Sequence, residues 1–319
     1  MIAVITHNYP DADNPVAGLF VRDHKAILEA DTGEEVRLLH YPFGEYPMTE
    51  SIKNPLKWPK FIHYFLQTPR RIRQDIGKCT SDNNGVRPTI LAHWFFPSGI
   101  FATRFFDNVD VICHGTDLYQ LQKHPVIAKM YASRARRVLC WRCVSTDLKR
   151  ILLEIYPFLD ESRILVRPMP IDPMFRDNGM KRDPELLISV GALIPRKQFD
   201  LAIREVAKIA RLKLEIYGAG PEKERLARII DELKVGDRIR LMGQVRRWQL
   251  AIRYNQASLC IMLSYNEGFG LALKEAQACG CKTLAFMGDG MVDTRPDFPI
   301  DRSDSVAEKI KDALAKPER

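Results

Sequence analysis

Ser264-Tyr-Asn-Glu-Gly-Phe-Gly-Leu-Ala-Leu-Lys-Glu-Ala-Gln-Ala-Cys-Gly280 is the stretch on which the reading of this 319-residue chain turns. The apolar run Leu259-Cys-Ile-Met-Leu263 leads into it and reads as a strand. A polar turn with two glycines follows, and a helix is expected from about Gly270. Glu267 lies in the turn and Glu275 in the helix, with seven residues between them. Glycine lets backbone approach a ligand closely, and the first N–H groups of a helix are unpaired and partly positive, so such a turn can seat a phosphate. A carboxylate beside it can accept hydrogen bonds from two neighbouring hydroxyls, as on a sugar ring or a ribose. A phosphate cradle with hydroxyl clamps describes a site for a sugar nucleotide.

The segment Glu267-Gly-Phe-Gly-Leu-Ala-Leu-Lys-Glu-Ala276 resembles the E-x7-E signature of retaining glycosyltransferases, family 4 above all. Two acids at that spacing mean little alone. Gly-Phe-Gly inside, Glu-Ala at the end and a strand in front make the match specific. The resemblance implies that Glu267 lies by the donor sugar and Glu275 holds the nucleotide ribose. It also places Gly268, Phe269, Gly270 and Leu271 at the donor. Upstream, Leu186–Val190 reads as a strand, followed by Gly191-Ala-Leu-Ile-Pro-Arg-Lys-Gln-Phe-Asp200 and a helix to about Ala210. Adjacent cations between strand and helix suit an anion. Arg196 and Lys197 match the family's phosphate-binding pair, while Ala192 stands where relatives often carry another Arg. Strand Leu214–Tyr217 leads to Gly218-Ala-Gly-Pro-Glu222, which lacks the third glycine of a dinucleotide fingerprint. Gly218 is placed at the donor. So are Gln244 and Val245, at the end of Ile239–Val245, where the family's backbone faces the base. Strand Lys282–Phe286, the loop Gly288-Asp-Gly290 and a helix over Asp304–Ala315 complete this half.

The first half opens with strand Ile2–Ile5, a small-residue loop and a helix to about Ala30, the start of a Rossmann-like unit. Further strands are expected at Glu35–His40, Thr89–Ala92, Val109–Cys113, Arg136–Cys140 and Arg163–Val166. His7, His93 and His114 each follow a strand, where open α/β sheets bind ligands. His114-Gly-Thr-Asp117 resembles the family's H-G-x-D, which implies that His114 reaches the transferred sugar. The resemblance also sets Gly18 in the first cleft loop; His93 and Asp117 join it on the acceptor side. Asp11-Ala-Asp13 superficially matches a metal-binding D-x-D but reads as a solvated turn, so no metal site and no cofactor are expected. The Pro-rich run Arg167–Arg176 reads as the crossing between domains. The expected fold class is α/β, with two facing Rossmann-like domains in the GT-B architecture. Residues 1–175 form the acceptor side and residues 176–319 the donor side. The chain ends where many relatives continue with further helices.

The net charge is +8, and residues 53–87 hold eight cations against two acids. Leu56–Leu66 in that segment mixes aromatics and cations, which suits either a surface touching membrane or a core helix with its lysines in water. No apolar run is long enough to span a bilayer. The N-terminus reads as a strand rather than a signal peptide, and seven cysteines, an odd number, read as buried thiols in a reducing compartment. A cytoplasmic protein, peripheral to a membrane in one reading, is expected. The resemblance implies a retaining glycosyltransferase moving a sugar from a nucleoside-diphosphate donor to a hydroxyl acceptor: a glycan, a lipid-linked molecule or another. Rival readings are a glycosyltransferase acting on modified DNA, a nonenzymatic nucleic-acid-binding protein using segment 53–87, a phosphorylase of the same fold and a Rossmann oxidoreductase.

Overall fold

The computed structural model describes residues 1–10, 18–42, 58–288 and 290–316. The Asp11–Asp13 turn, residues 53–57 of the basic segment and Asp289 lie outside them. The chain divides into two compact units, Met1–Pro170 and Ile171–Arg319. The division falls within the Pro-rich run, and Phe175 already packs into the second unit's core.

The first unit holds a six-stranded parallel sheet in the order β2-β1-β3-β4-β5-β6. Its strands are β1 (Ile2–Thr6), β2 (Val36–His40), β3 (Thr89–His93), β4 (Val109–Cys113), β5 (Val138–Cys143) and β6 (Ile164–Val166). Helix α1 (Leu19–Thr32) follows β1, and α2 (Trp58–Asp82) follows β2. Helices α3 (Thr116–Lys123) and α4 (Thr146–Ile155) follow β4 and β5. Strands β1 and β4 are buried on both faces, which is why they read as continuous apolar runs.

The basic segment becomes mostly one helix, α2. Thr68, Ile72, Ile76 and Cys79 are buried at helical spacing, and Phe65 meets Phe101 edge-on at 4.9 Å. Lys60, Arg70, Arg71, Arg73 and Lys78 face water. Part of α2 is thus a core helix with its cations in solvent, while Ile62 and Leu66 stay half exposed near its start.

The second unit holds a six-stranded parallel sheet in the order β12-β11-β10-β7-β8-β9. Its strands are β7 (Asp183–Val190), β8 (Lys213–Tyr217), β9 (Ile239–Gly243), β10 (Ala257–Met262), β11 (Lys282–Phe286) and β12 (Phe298–Ile300), the last not anticipated from so short a run. Alternate residues go to opposite faces. Leu187, Leu259, Ile261 and Leu284 pack under helices α5 (Phe199–Ala207), α6 (Lys223–Glu232) and α9 (Val306–Ala315). Leu186, Ile188, Cys260, Met262 and Ala285 pack under α7 (Arg247–Gln256) and α8 (Leu271–Ala278). Each buried aliphatic side chain contributes about 1.5–3 kcal/mol relative to exposure.

Both sheets reverse their winding in the middle. In the second unit β7 and β10 are neighbours, with β8 and β9 on one side and β11 and β12 on the other. In the first unit the neighbours are β1 and β3. Loops leaving such a pair diverge and open a crevice at the strands' carboxyl ends.

Candidate functional site

In the second unit the loops after β7 and β10 are tied together. Tyr265 N donates to Arg196 O at 3.0 Å, joining the two sides of the reversal. Gly191 N donates to Tyr217 O at 3.0 Å and Gly218 N to Gly243 O at 2.8 Å. A Cβ on Gly218, whose φ is +145°, would lie 1.9 Å from Gly191 O. Gly218 is therefore required for two loops to cross. Pro195–Lys197 forms a short 3-10 turn that presents both cations.

Those cations converge on Glu267. Arg196 Nη1 lies 3.2 Å from Glu267 Oε1, and Lys197 Nζ bonds the same oxygen. Arg196 Nη1 also donates to Asn266 O at 3.2 Å. Glu267 is 6% exposed. Burial pushes its carboxyl up, but Lys197, Arg196 and the Ser264 hydroxyl outweigh that and hold it below its ordinary value. The carboxylate is thus ionised, and the trio carries one net positive charge. Gly270 caps α8 with φ +74°, where a Cβ would meet Met291 Sδ at 2.7 Å. A Cβ on Gly290 would stand 2.2 Å from Glu267 O, so Gly290 lies against the same turn.

Glu275 is buried on α8, and Arg247 Nη2 donates to its Oε1 at 2.9 Å. The Arg247 guanidinium sits 4.8 Å over the Phe175 ring. Sequence reading missed Arg247, because nothing local to α7 announces a partner on α8. Arg196, Lys197, Glu267, Gly268, Phe269 and Gly270 come together at the reversal, and Leu271 opens α8. Gln244 is exposed, whereas Val245 packs on the core.

The first unit's crevice is built from rings. His93 closes β3 and is fully buried. Its Nδ1 lies 2.9 Å from His114 Nε2, and its Nε2 lies 3.1 Å from His24 Nδ1. His24, on α1, was not singled out in the sequence, because no strand end marks it. His7 Nδ1 contacts Ser98 Oγ at 3.1 Å, and Trp94 and Phe20 pack 4.6 and 4.8 Å from the His114 ring. Burial pushes His7 down to about 4, helped by His40, and His24 to about 4, helped by Arg142. Burial likewise takes His114 to about 3 and His93 well below its ordinary value, each helped by neighbouring imidazoles. All four rings are neutral at neutral pH.

Asp117 is buried and accepts from Phe95 N at 2.9 Å and Gly115 N at 3.1 Å. Burial raises its pKa against the pull of those donors. It holds the turns after β3 and β4 together. Gly18 has φ +58°, and a Cβ there would lie 2.2 Å from Asn8 O. Gly18, His93 and Asp117 are all buried, while His7, His24 and His114 keep some accessible surface. All seven cysteines are unpaired thiols, six of them buried and Cys140 half-buried. Among the described residues no group of His, Cys, Asp and Glu is arranged to hold a metal ion, and no helix is long and apolar enough to cross a membrane.

The two parallel six-stranded sheets have the GT-B architecture, and comparison with solved structures agrees on the fold. Residues 170–319 match the family model described as Glycosyl transferases group 1, and the likeness to family 4 glycosyltransferases is borne out. The D-inositol 3-phosphate glycosyltransferase of Mycolicibacterium smegmatis is 32% identical over 140 residues, covering 42% of this chain and 30% of the relative. The match thus spans less than a third of that relative's length. Sucrose-phosphate synthase from Thermosynechococcus elongatus superposes with a TM-score of 0.72 at 19% identity, covering 99% of this chain and 90% of that one. Anabaena HepE, solved with UDP and glucose, gives 0.68 at 13% identity over 99% and 90% of the two chains.

Proposed function

We propose that the protein is a retaining glycosyltransferase that moves a sugar from a nucleoside-diphosphate donor to a hydroxyl acceptor, with the donor on the second unit. One observation carries this reading: Arg196, Lys197 and Glu267 meet at the reversal between β7 and β10, beside the start of α8. Departure of the diphosphate from the anomeric carbon builds negative charge on its oxygens. Two cations and a helix N-terminus stabilise that charge without a metal ion. Before the donor arrives, Glu267 keeps the cations placed. Donor phosphates then compete for them, and the released carboxylate oxygens accept from sugar hydroxyls. Glu275, steadied by Arg247, accepts from the ribose hydroxyls. The aromatic and imidazole crevice of the first unit holds the acceptor.

Calorimetry with UDP, followed by NMR of the product formed from UDP-glucose, tests this. UDP should bind, and the product should keep the donor's anomeric configuration. Inverted product rejects the retaining mechanism; absence of binding by UDP and GDP alike rejects the donor site.

A further inference from the structure

The three imidazoles of His24, His93 and His114 form a continuous hydrogen-bonded file that the proposed transfer has not yet used. His93 is completely buried, and both its nitrogens are engaged by other imidazoles, at 3.1 and 2.9 Å. The His93 and His114 planes are 11° apart with centroids at 5.0 Å. Parallel rings stacked face to face could not bring two nitrogens to 2.9 Å, so these rings meet edge to edge, in line for proton transfer. The outer members, His24 and His114, are only half-buried.

A neutral imidazole has one N–H and one lone pair. That rule leaves the file only two arrangements in which both bonds are made. In the first, every ring carries its proton on Nε2: His114 donates to His93, His93 donates to His24, and His114 Nδ1 is a bare lone pair. In the second, every ring carries it on Nδ1, and both bonds run the other way. The two interconvert by one concerted shift. A proton enters at His114 Nδ1, the His114 Nε2 proton passes to His93 Nδ1, the His93 Nε2 proton passes to His24 Nδ1, and the His24 Nε2 proton leaves to solvent. Each ring loses one proton and gains one, so no charge is stored in the crevice. The low proton affinities of these rings fit such a neutral shift, because none of them holds an extra proton at neutral pH. The charge that acts on His24 is that of Arg142 on β5, which pairs with Asp110.

We propose that His114, His93 and His24 are a proton wire that carries the acceptor hydroxyl's proton from the crevice of the first unit to solvent as the new glycosidic bond forms. The proposal rests on the transferase reading above. His114 would touch the acceptor and be catalytic, while His93 and His24 act through it. The wire accounts for three histidines in one file and for the complete burial of the middle one, which has no route to solvent except its neighbours.

Two measurements test it. The first is the ¹⁵N spectrum of the imidazoles in the intact protein at neutral pH, which needs no substrate. All three rings should show the same tautomer; one ring of opposite tautomer, or a charged ring, overturns the wire. The second is the rate of UDP release from UDP-glucose, with water as acceptor, in mixtures of H₂O and D₂O. The parent should give a curved dependence on deuterium fraction, since several protons move together. His93→Gln keeps a donor and an acceptor in place but cannot pass a proton through. It should slow release about tenfold with little change in KM and give a straight dependence. A straight line in the parent, or a curved one in His93→Gln, overturns the wire. If nothing binds or turns over, the transferase reading falls instead, and the tautomers alone then decide whether a wire exists.

Discussion

The two units build their crevices on the same topological device and fill them with opposite chemistry. Between β7 and β10 lie ionised groups, two cations sharing one carboxylate. Between β1 and β3, and on to β4, lie aromatic and imidazole rings kept neutral by burial. The difference suits what each side would handle under the proposed function. A departing diphosphate needs fixed positive charge, which is strongest in a partly dry site. A hydroxyl giving up a proton needs shape and a lone pair to receive that proton. Fold likeness alone would not have separated the two roles, since each crevice is simply the carboxyl end of a reversing sheet.

The largest effect expected on this contrast comes from breaking one crevice through its backbone. Gly218→Ala places a Cβ against Gly191 O at a φ of +145°, so overpacking of about 3 kcal/mol or more is joined by backbone strain of about 1–3 kcal/mol. Urea unfolding followed by peptide-resolved hydrogen exchange should show that loss in β7 and β8 and leave β1 and β3 protected. Equal loss in both sheets would mean that the units do not respond separately.

Removing a cation comes next. Lys197→Ala should lower transfer from UDP-glucose by about 100-fold or more, the scale seen when one oxyanion donor of roughly 2.7–4 kcal/mol is lost. UDP binding by calorimetry should weaken with it. Parental binding and rate in both Lys197→Ala and Arg196→Ala would remove the diphosphate from this crevice.

The glutamates sharpen the comparison within the second unit. Loss of a bond to a charged group costs about 1.5–3 kcal/mol. Glu275→Gln should therefore weaken UDP and UDP-glucose alike, by about tenfold at the lower end of that range. Glu267→Gln should slow transfer by a similar factor yet tighten free UDP, because Arg196 and Lys197 no longer share an ionised partner. Tighter UDP in Glu275→Gln and weaker UDP in Glu267→Gln would reverse the two roles.

Acid should separate the units by degrees. His7 and His24 fall to about 4 on folding from 6.5, so between those values the unfolded chain binds more protons and folding is opposed. First-unit stability should thus decline as pH drops from about 6.5 toward 4. Glu267 is depressed on folding, so its contribution is complete above its ordinary 4.5 and is lost only as pH falls through its lower folded value. Urea midpoints read by hydrogen exchange at pH 7.5 and pH 5 should therefore fall in the first unit and hold in the second; a fall confined to the second would contradict the burial of the imidazoles. The smallest expected effect is none: transfer should survive EDTA, since the cradle is made of side chains and a helix start. Complete loss restored by Mn²⁺ would overturn that mechanism.

The sequence by itself determined the alternation of strands and helices and the residue types around Glu267. Each of these is local: apolar runs, a Gly-Phe-Gly turn before a helix, and adjacent cations between strand and helix all lie within a few residues of one another. It also marked His7, His93 and His114, because each ends a strand. Partners from distant elements were decided only by tertiary structure. Lys197 meets Glu267 across 70 residues, Arg247 meets Glu275 across 28, and His24 meets His93 across 69. The reason for Gly218 is likewise tertiary, since only the folded sheet brings the Gly191 carbonyl against it. Hydrogen bonds and ion pairs depend on atoms meeting within about 3 Å in a given direction. A spacing pattern specifies which face of an element is buried, but the order in which strands assemble specifies which faces meet.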